Sequence, residues 1–539
     1  MEDTQATARH IPVQYDERGN PRWVARMSPP DNSFGKCYMV PDRVVPVIFV
    51  PGVMGSNLIG SGKNNGGKKW LLDSNGSMAV WLGRGVKSRK KILRPDAMKV
   101  HDGGKLPEGT ALPNEELSRR KWGEVGAMSY AEFLVWLENA LNDFDDCKNG
   151  QRMQLMGMDL GAAIGEQAPT KDEIGLTYRY RFPVYACGYN WLDSNATSAK
   201  RLGERIDEVI ARYRQERKKV EKVIVVTHSM GGLVARHCSE ALGYSDKILG
   251  IVHGVMPAIG AAAVYRRFKS GTEGDYITSE VLGNDAAEMT AVLSSAPGPM
   301  QLLPTPDYGN GWLKIRDGRT EYSFPQNGDP YGEIYTVRGK WWSMCDDELM
   351  NPLNRSRNPK KRQVQMDADW QAYEMTIDQD VKTFHRRIDN RYHPHTHAFF
   401  GSHADHLAYG TVSWQRVAGP GVLRNRRETD VLNAYSVDPD EIKRQRSVRA
   451  PFVDNGNFAR SEYQMYSISE PDEDGDGTVP HRSGASPKAH CKSFLQVNVE
   501  HEPAYKASNG SDNHRACLFA LRAIVRIAQD LQQTSLRYD

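Results

Sequence analysis

Five consecutive apolar or β-branched residues, Val223 to Thr227, run into a turn that carries Ser229, Gly231 and Gly232. Such a run is expected to form a buried strand. Leu233, Val234 and Ala235 then begin a helical pattern that ends near Gly243. A serine pinned between a buried strand and a helix takes a strained backbone conformation that pushes its Oγ into the open. Gly231 and Gly232 lack a Cβ, so strand and helix can approach closely. The helix N-terminus aims free N–H groups at any charge that forms beside the serine. The pentapeptide Thr227-His228-Ser229-Met230-Gly231 departs from Gly-x-Ser-x-Gly at its first position, where a β-branched side chain crowds the turn. Taken alone, the stretch also reads as a strand–turn–helix with an ordinary serine.

A second turn strengthens the nucleophile reading. Val44 to Val50 is another apolar run of strand length, and it empties into Pro51-Gly-Val-Met-Gly-Ser-Asn-Leu58. A glycine-rich turn after a strand can present backbone N–H groups to an anion. Beside a nucleophilic serine, such a turn supplies half of an oxyanion hole, and the residue after the serine supplies the rest.

A serine hydroxyl needs an imidazole to take its proton and a carboxylate to orient that imidazole. With the acid and base following the serine in sequence, the C-terminal segment offers both. Asp472-Glu-Asp-Gly-Asp476-Gly-Thr-Val-Pro480 is a carboxylate-rich turn after a possible strand. Asp476 is the preferred acid, with Asp474 and then Asp472 as alternatives. For the base, His501 follows the last expected strand, Phe494 to Val499, and is preferred over His514 at the start of the closing helix and over His490. His228 adjoins the serine, but the backbone of the turn is expected to aim it away from Oγ; His481 reads as solvated or structural. The acidic turn also resembles the start of an EF-hand, yet Ser483 occupies the position of the bidentate glutamate. His393, His395, His397, His403 and His406 with Asp405 form a cluster able in principle to hold zinc or copper. Without a defined ligand spacing, a hydrogen-bonded loop is the preferred reading, so no metal and no cofactor is assigned.

Strand, helix, strand and helix alternate along the sequence, the pattern of a mostly parallel sheet covered on both faces. Ser129 to Leu141 is expected to be an amphipathic helix with Ser129 as N-cap; Arg201 to Arg217 and Arg515 to Leu531 are expected helices. Lys247–Gly254, Gly332–Arg338 and Gln464–Ile468 are expected strands. We divide the protein into a polar leader (1–42), a first core part (43–340) with an irregular excursion at 60–125, a polar and basic cap or lid insertion (341–457), and a second core part (458–539).

The 70 basic and 67 acidic side chains nearly cancel, to a net +3, which argues against a nucleic-acid partner. Lys/Arg clusters at 84–94, 355–362 and 443–449 suit solvated loops first and an anionic membrane surface second. Seven scattered cysteines with no Cys-x-x-Cys pair suit a reducing compartment. Residues 1–33 lack an apolar segment, so no secretory signal is expected, and the protein is expected in the cytoplasm of its producing cell.

Pro51–Leu58, Tyr189-Asn-Trp191, Thr227–Gly231, Leu302-Leu-Pro304 and Gly475-Asp-Gly-Thr-Val479 occur in an order similar to lecithin–cholesterol acyltransferase and its lysosomal phospholipase relatives. The set also resembles bacterial lipase effectors of type VI secretion systems. The resemblance covers roughly 44–58, 185–310 and 470–530. It implies an α/β-hydrolase in which Ser229 is nucleophile, Asp476 acid and His501 base, with oxyanion N–H groups from Val53 and Met230. The acyltransferases' Tyr-Asp-Trp is Tyr189-Asn190-Trp191 here. The implied function is ester hydrolysis on a lipid or phospholipid substrate at a membrane surface. A secreted antibacterial toxin, with an immunity protein or secretion-apparatus partner and entry into a target periplasm, is compatible with it. The alternatives are an acyltransferase of the same fold and a non-catalytic lipid-binding protein.

Overall fold

The computed structural model describes residues 7–25, 33–61, 66–81, 83–144, 150–165, 167–272, 283–354, 356–417, 430–433, 435–436, 448–449, 451–453, 462–463 and 466–538. Its centre is a six-stranded sheet: β1 (Val47–Val50), β2 (Val184–Ala186), β3 (Val223–His228), β4 (Ile248–Gly254), β5 (Thr396–Gly401) and β6 (Cys491–Val497), in spatial order β6-β5-β4-β3-β1-β2. Every neighbouring pair is parallel. Parallel strands need crossovers that cover both faces, so their residues are apolar on both sides. β1 illustrates this: Ile48 and Val50 enter one core cluster, while Val47 and Phe49 enter the opposite one. Helix α2 (Asn195–Gln215) buries Leu202, Ile206 and Val209 in the first cluster. Helix α1 (Ala127–Leu141) and the closing helix α4 (Ser511–Ile527) fill the second. The polypeptide passes from β1 to one side and from β3 to the other, so the crevice beyond their C-terminal ends lies at a topological switch point, where ligands bind in open α/β sheets.

The largest departure from the sequence expectation is β5. The proposed 341–457 insertion is not continuous, because Thr396–Gly401 is a fully buried strand between β4 and β6. Its sequence, Thr-His-Ala-Phe-Phe-Gly, begins with polar residues just after Pro394, which masks the apolar run that marks a parallel strand. A second, five-stranded sheet joins Leu313–Asp317 and Thr320–Phe324 to Val412–Arg416, Tyr466–Ile468 and Val448–Arg449. It therefore begins before residue 341 and continues beyond 457.

Smaller corrections follow the same logic. Tyr331–Tyr335 is a π-helical turn rather than a strand, with Tyr331, Ile334 and Tyr335 buried at helical spacing. The N-cap of α1 is Gly126, not Ser129; Glu132, one turn further on, accepts from the Ser508 backbone N–H at 2.8 Å. The 60–125 excursion contains short helices, and Lys69–Trp70 and Met98–Val100 pair with Leu58–Gly60 as a small sheet. Gln464 lies outside the described residues. Among the described residues, no helix is long and apolar enough to cross a membrane, and six cysteines are free.

Candidate active site

Ser229 follows β3 at φ +51°, a left-handed conformation costing about 1–3 kcal/mol for a residue with a Cβ. The surrounding backbone enforces it. The Ser229 N–H donates to Gly254 C=O at 2.9 Å, at the end of β4. Helix α3 (Gly231–Arg236) starts so close to β1 that a Cβ on Gly231 would lie 2.5 Å from the carbonyl oxygens of Val50 and Pro51. Thr227, in place of the first glycine, is a regular residue of β3; its Oγ1 sits 2.9 Å from His253 Nδ1.

Two loops reach this serine, one after the short strand Glu473–Gly475 and one after β6. Asp476 lies in the turn after the short strand Glu473–Gly475, and its Oδ1 accepts from the N–H groups of Thr478 (3.0 Å) and Val479 (2.7 Å). Its Oδ2 is 2.8 Å from His501 Nδ1. His501 follows β6, and its Nε2 is 2.8 Å from Ser229 Oγ. The His501 backbone N–H also donates to Asp476 C=O at 2.8 Å, so ring and backbone are tied to the same residue. Ser229, His501 and Asp476 thus form one hydrogen-bonded row. Across the serine, the turn after β1 is shaped by Met54 at φ +63° and held by the Tyr189 hydroxyl, which donates to Pro51 C=O at 2.9 Å. Neither the Val53 nor the Met230 backbone N–H donates to another group among the described residues.

Two comparisons with known proteins match this fold. The PGAP1-like alpha/beta domain family matches residues 195–267, which span α2, β3, the Ser229 turn and β4. Among solved structures, one polypeptide of the Tle4–Tli4 complex superposes with a TM-score of 0.69 at 26% identity, covering 90% of this protein and 98% of that one. No curated protein matches the sequence. The protein has the α/β-hydrolase fold. Its serine row opens into a cavity of about 250 Å³, lined mainly by apolar side chains including Met54, Val264, Met289, Leu293 and Leu302. Arg267, Thr478 and Glu502 are among the polar residues that line the same cavity. A second cavity, of about 330 Å³, lies beyond Pro257, with Arg236, Asp307, His385 and Asp389 among its lining residues.

The other candidates expected from sequence lie elsewhere in the fold. Asp472 accepts from the N–H groups of Gly410 and Thr411. Asp474 lies on the strand paired with His403–Ala408. His514 meets the edge of Trp136, His490 bonds Asn390, and His481 Nδ1 lies 2.9 Å from Ser402 Oγ. The histidine cluster disperses as well: His397 Nδ1 is 2.6 Å from Ser493 Oγ inside the sheet, His395 pairs with Asp530 at 2.7 Å, and His406 lies 3.8 Å from Glu500. It is therefore part of β5 and its flanks rather than a loop.

His228 and Tyr130 make contacts at the site that the sequence does not specify. The ring nitrogens of His228 bond other groups than Ser229 Oγ: Nε2 lies 2.8 Å from His501 C=O and Nδ1 3.0 Å from the Tyr130 hydroxyl. Burial, and next the neighbouring His501, push its pKa down to about 4, so it is neutral at pH 7. Tyr130 reads from sequence only as an apolar-face position of α1. The one signal it gives is that its hydroxyl, buried with the ring, needs a partner.

Proposed function

We propose that this protein is a serine ester hydrolase of lipids, a lipase or phospholipase. The observation that carries the reading is the unbroken row from Ser229 Oγ through His501 to Asp476, 2.8 Å at each step, which opens into an apolar cavity, with the Val53 and Met230 N–H groups unbonded among the described residues. Ser229 Oγ attacks the ester carbonyl carbon as His501 Nε2 takes its proton. Asp476 holds the imidazole in the required tautomer and stabilises the imidazolium. The carbonyl electron pair moves onto oxygen, where the Val53 and Met230 N–H groups receive it; one such donor is worth about 3–4 kcal/mol in other enzymes. Collapse of the intermediate expels the alcohol, which leaves with the proton from His501. Water, activated by the same imidazole, then releases the fatty acid and restores Ser229.

The apolar lining suits an acyl tail, and Arg267, Thr478 and Glu502 suit the polar part of a lipid. The neighbour's assembly with Tli4 supports a protein partner; we take that partner to be of immunity type and to cover this site, in a toxin delivered into a target periplasm. The decisive experiment is mass-spectrometric product analysis after incubation with mixed phospholipids and triglycerides, run beside Ser229→Ala. Free fatty acid from the wild type alone supports the proposal; equal release by Ser229→Ala rejects it. For the toxin reading, growth arrest is expected only when the protein is directed to the periplasm, and relief is expected with Ser229→Ala.

A further inference from the structure

Behind the serine row runs a second series of hydrogen bonds that the acyl-transfer steps do not use. The Gly52 N–H donates to the Tyr130 hydroxyl oxygen at 3.0 Å, that hydroxyl lies 3.0 Å from His228 Nδ1, and His228 Nε2 lies 2.8 Å from the backbone carbonyl oxygen of His501. The direction of each bond follows from chemistry. A carbonyl only accepts, so Nε2 carries the imidazole proton. In a neutral ring Nδ1 then holds a lone pair, so the Tyr130 O–H donates to it. The Tyr130 oxygen keeps a lone pair for the Gly52 N–H. The series therefore runs in one sense, from the turn after β1 to the loop after β6.

Resting on the hydrolase reading above, we propose that Tyr130 and His228 are positioning residues. They set the distance between the oxyanion turn and the backbone of His501, so that the Val53 N–H and the His501 ring address one tetrahedral intermediate. Gly52 directly precedes Val53, and the carbonyl that His228 holds belongs to the base itself. Both glycines of the Pro51–Gly55 turn make room for this series. A Cβ on Gly52 would lie 2.8 Å from His228 Nδ1, and one on Gly55 would lie 2.7 Å from the Tyr130 hydroxyl oxygen. Tyr505, packed beside His228, does not compete, because its own hydroxyl donates to Thr227 C=O at 3.1 Å. Burial keeps His228 neutral at pH 7, the state in which this ordering of donors and acceptors holds. A displacement of about 1 Å at a reacting group costs on the order of 100-fold in rate. A tether between the two halves of the site therefore acts on kcat rather than on substrate binding.

The test uses the full-length protein, a soluble p-nitrophenyl ester, and an alkyl boronic acid that mimics the tetrahedral intermediate on Ser229. Tyr130→Phe keeps the ring packing and removes only the hydroxyl. His228→Leu removes the donor to His501, and His228→Gln keeps one. Tyr130→Phe and His228→Leu are expected to lower kcat by about 10- to 100-fold with KM within about twofold, and to weaken the boronate by a similar factor. The double variant is expected to be no slower than the worse single one, and His228→Gln to recover part of the loss. Unchanged kcat and boronate affinity in Tyr130→Phe overturn the inference, even if His228→Leu fails to fold. So does a loss confined to the melting temperature, or multiplicative losses in the double variant. A wild-type protein that neither turns over ester nor labels with a fluorophosphonate rejects the hydrolase reading itself; an active wild type with an unaffected Tyr130→Phe rejects only the positioning role.

Discussion

The two sides of the proposed active site are held by different forces. On the nucleophile side, Ser229 is fixed by close-packed backbone: β3, the start of α3 and the end of β1 touch where Gly231 has no side chain. On the acid–base side, Asp476 and His501 sit in loops and are fixed by hydrogen bonds, two to the Asp476 Oδ1 and two between the residues themselves. The first arrangement tolerates little change in volume, because a packed interior cannot absorb an added carbon cheaply. The second tolerates volume but not a change of donor or acceptor.

Chemistry that depends on both sides is the most fragile. Ser229→Ala is expected to lower ester turnover by about 10⁶-fold while leaving the melting temperature nearly unchanged, since no packing is lost. Turnover within tenfold of wild type breaks the comparison at its root. Asp476→Asn keeps the acceptor for the Thr478 and Val479 N–H groups but favours the wrong imidazole tautomer, so kcat is expected to fall by about 10⁴-fold with a folded protein. A loss of folding here, seen by circular dichroism, would show that the carboxylate charge also holds the loop.

Acid sharpens the contrast from the stability side. Burial lowers His228 and His385 to about 4 and His253 and His397 to about 3, all from an ordinary value near 6.5. Between about pH 6.5 and 4 the unfolded protein binds protons that these folded-state rings refuse, so stability falls as pH falls through that window. Urea midpoints are expected to drop steadily from pH 7 to pH 4, with a shallower slope in His228→Gln. Gly231→Ala forces a carbon against two carbonyl oxygens and is expected to cost about 1–3 kcal/mol, read as a lower urea midpoint. The smallest effect belongs to Thr227→Val, which loses the contact with His253 Nδ1 and is expected to cost about 1 kcal/mol.

Much of the scaffold was legible because it is local. The runs at 44–50, 223–227 and 247–254 read as strands, and β1, β3 and β4 occupy these stretches. α2 and α4 lie where charged and apolar residues alternate at helical spacing. β5 was not legible, since Pro394 and His397 break the apolar signature and the strand is stabilised only by neighbours from residues 248–254 and 491–497. Tyr130 was hidden for a related reason: a tyrosine on the buried face of a helix looks the same whether its hydroxyl serves a site or merely finds a partner.

The sequence alone determined the Ser229 turn, because a buried strand, two glycines and a helix start within about a dozen residues leave the backbone few alternatives. It narrowed the acid and base to a few carboxylates and histidines. Only the tertiary structure decided which imidazole stands beside Ser229. That contact spans 272 residues and exists because β5 enters the sheet between β4 and β6 and sets where the loop after β6 emerges. Strand order is a property of the packed whole, written in no local pattern of residues.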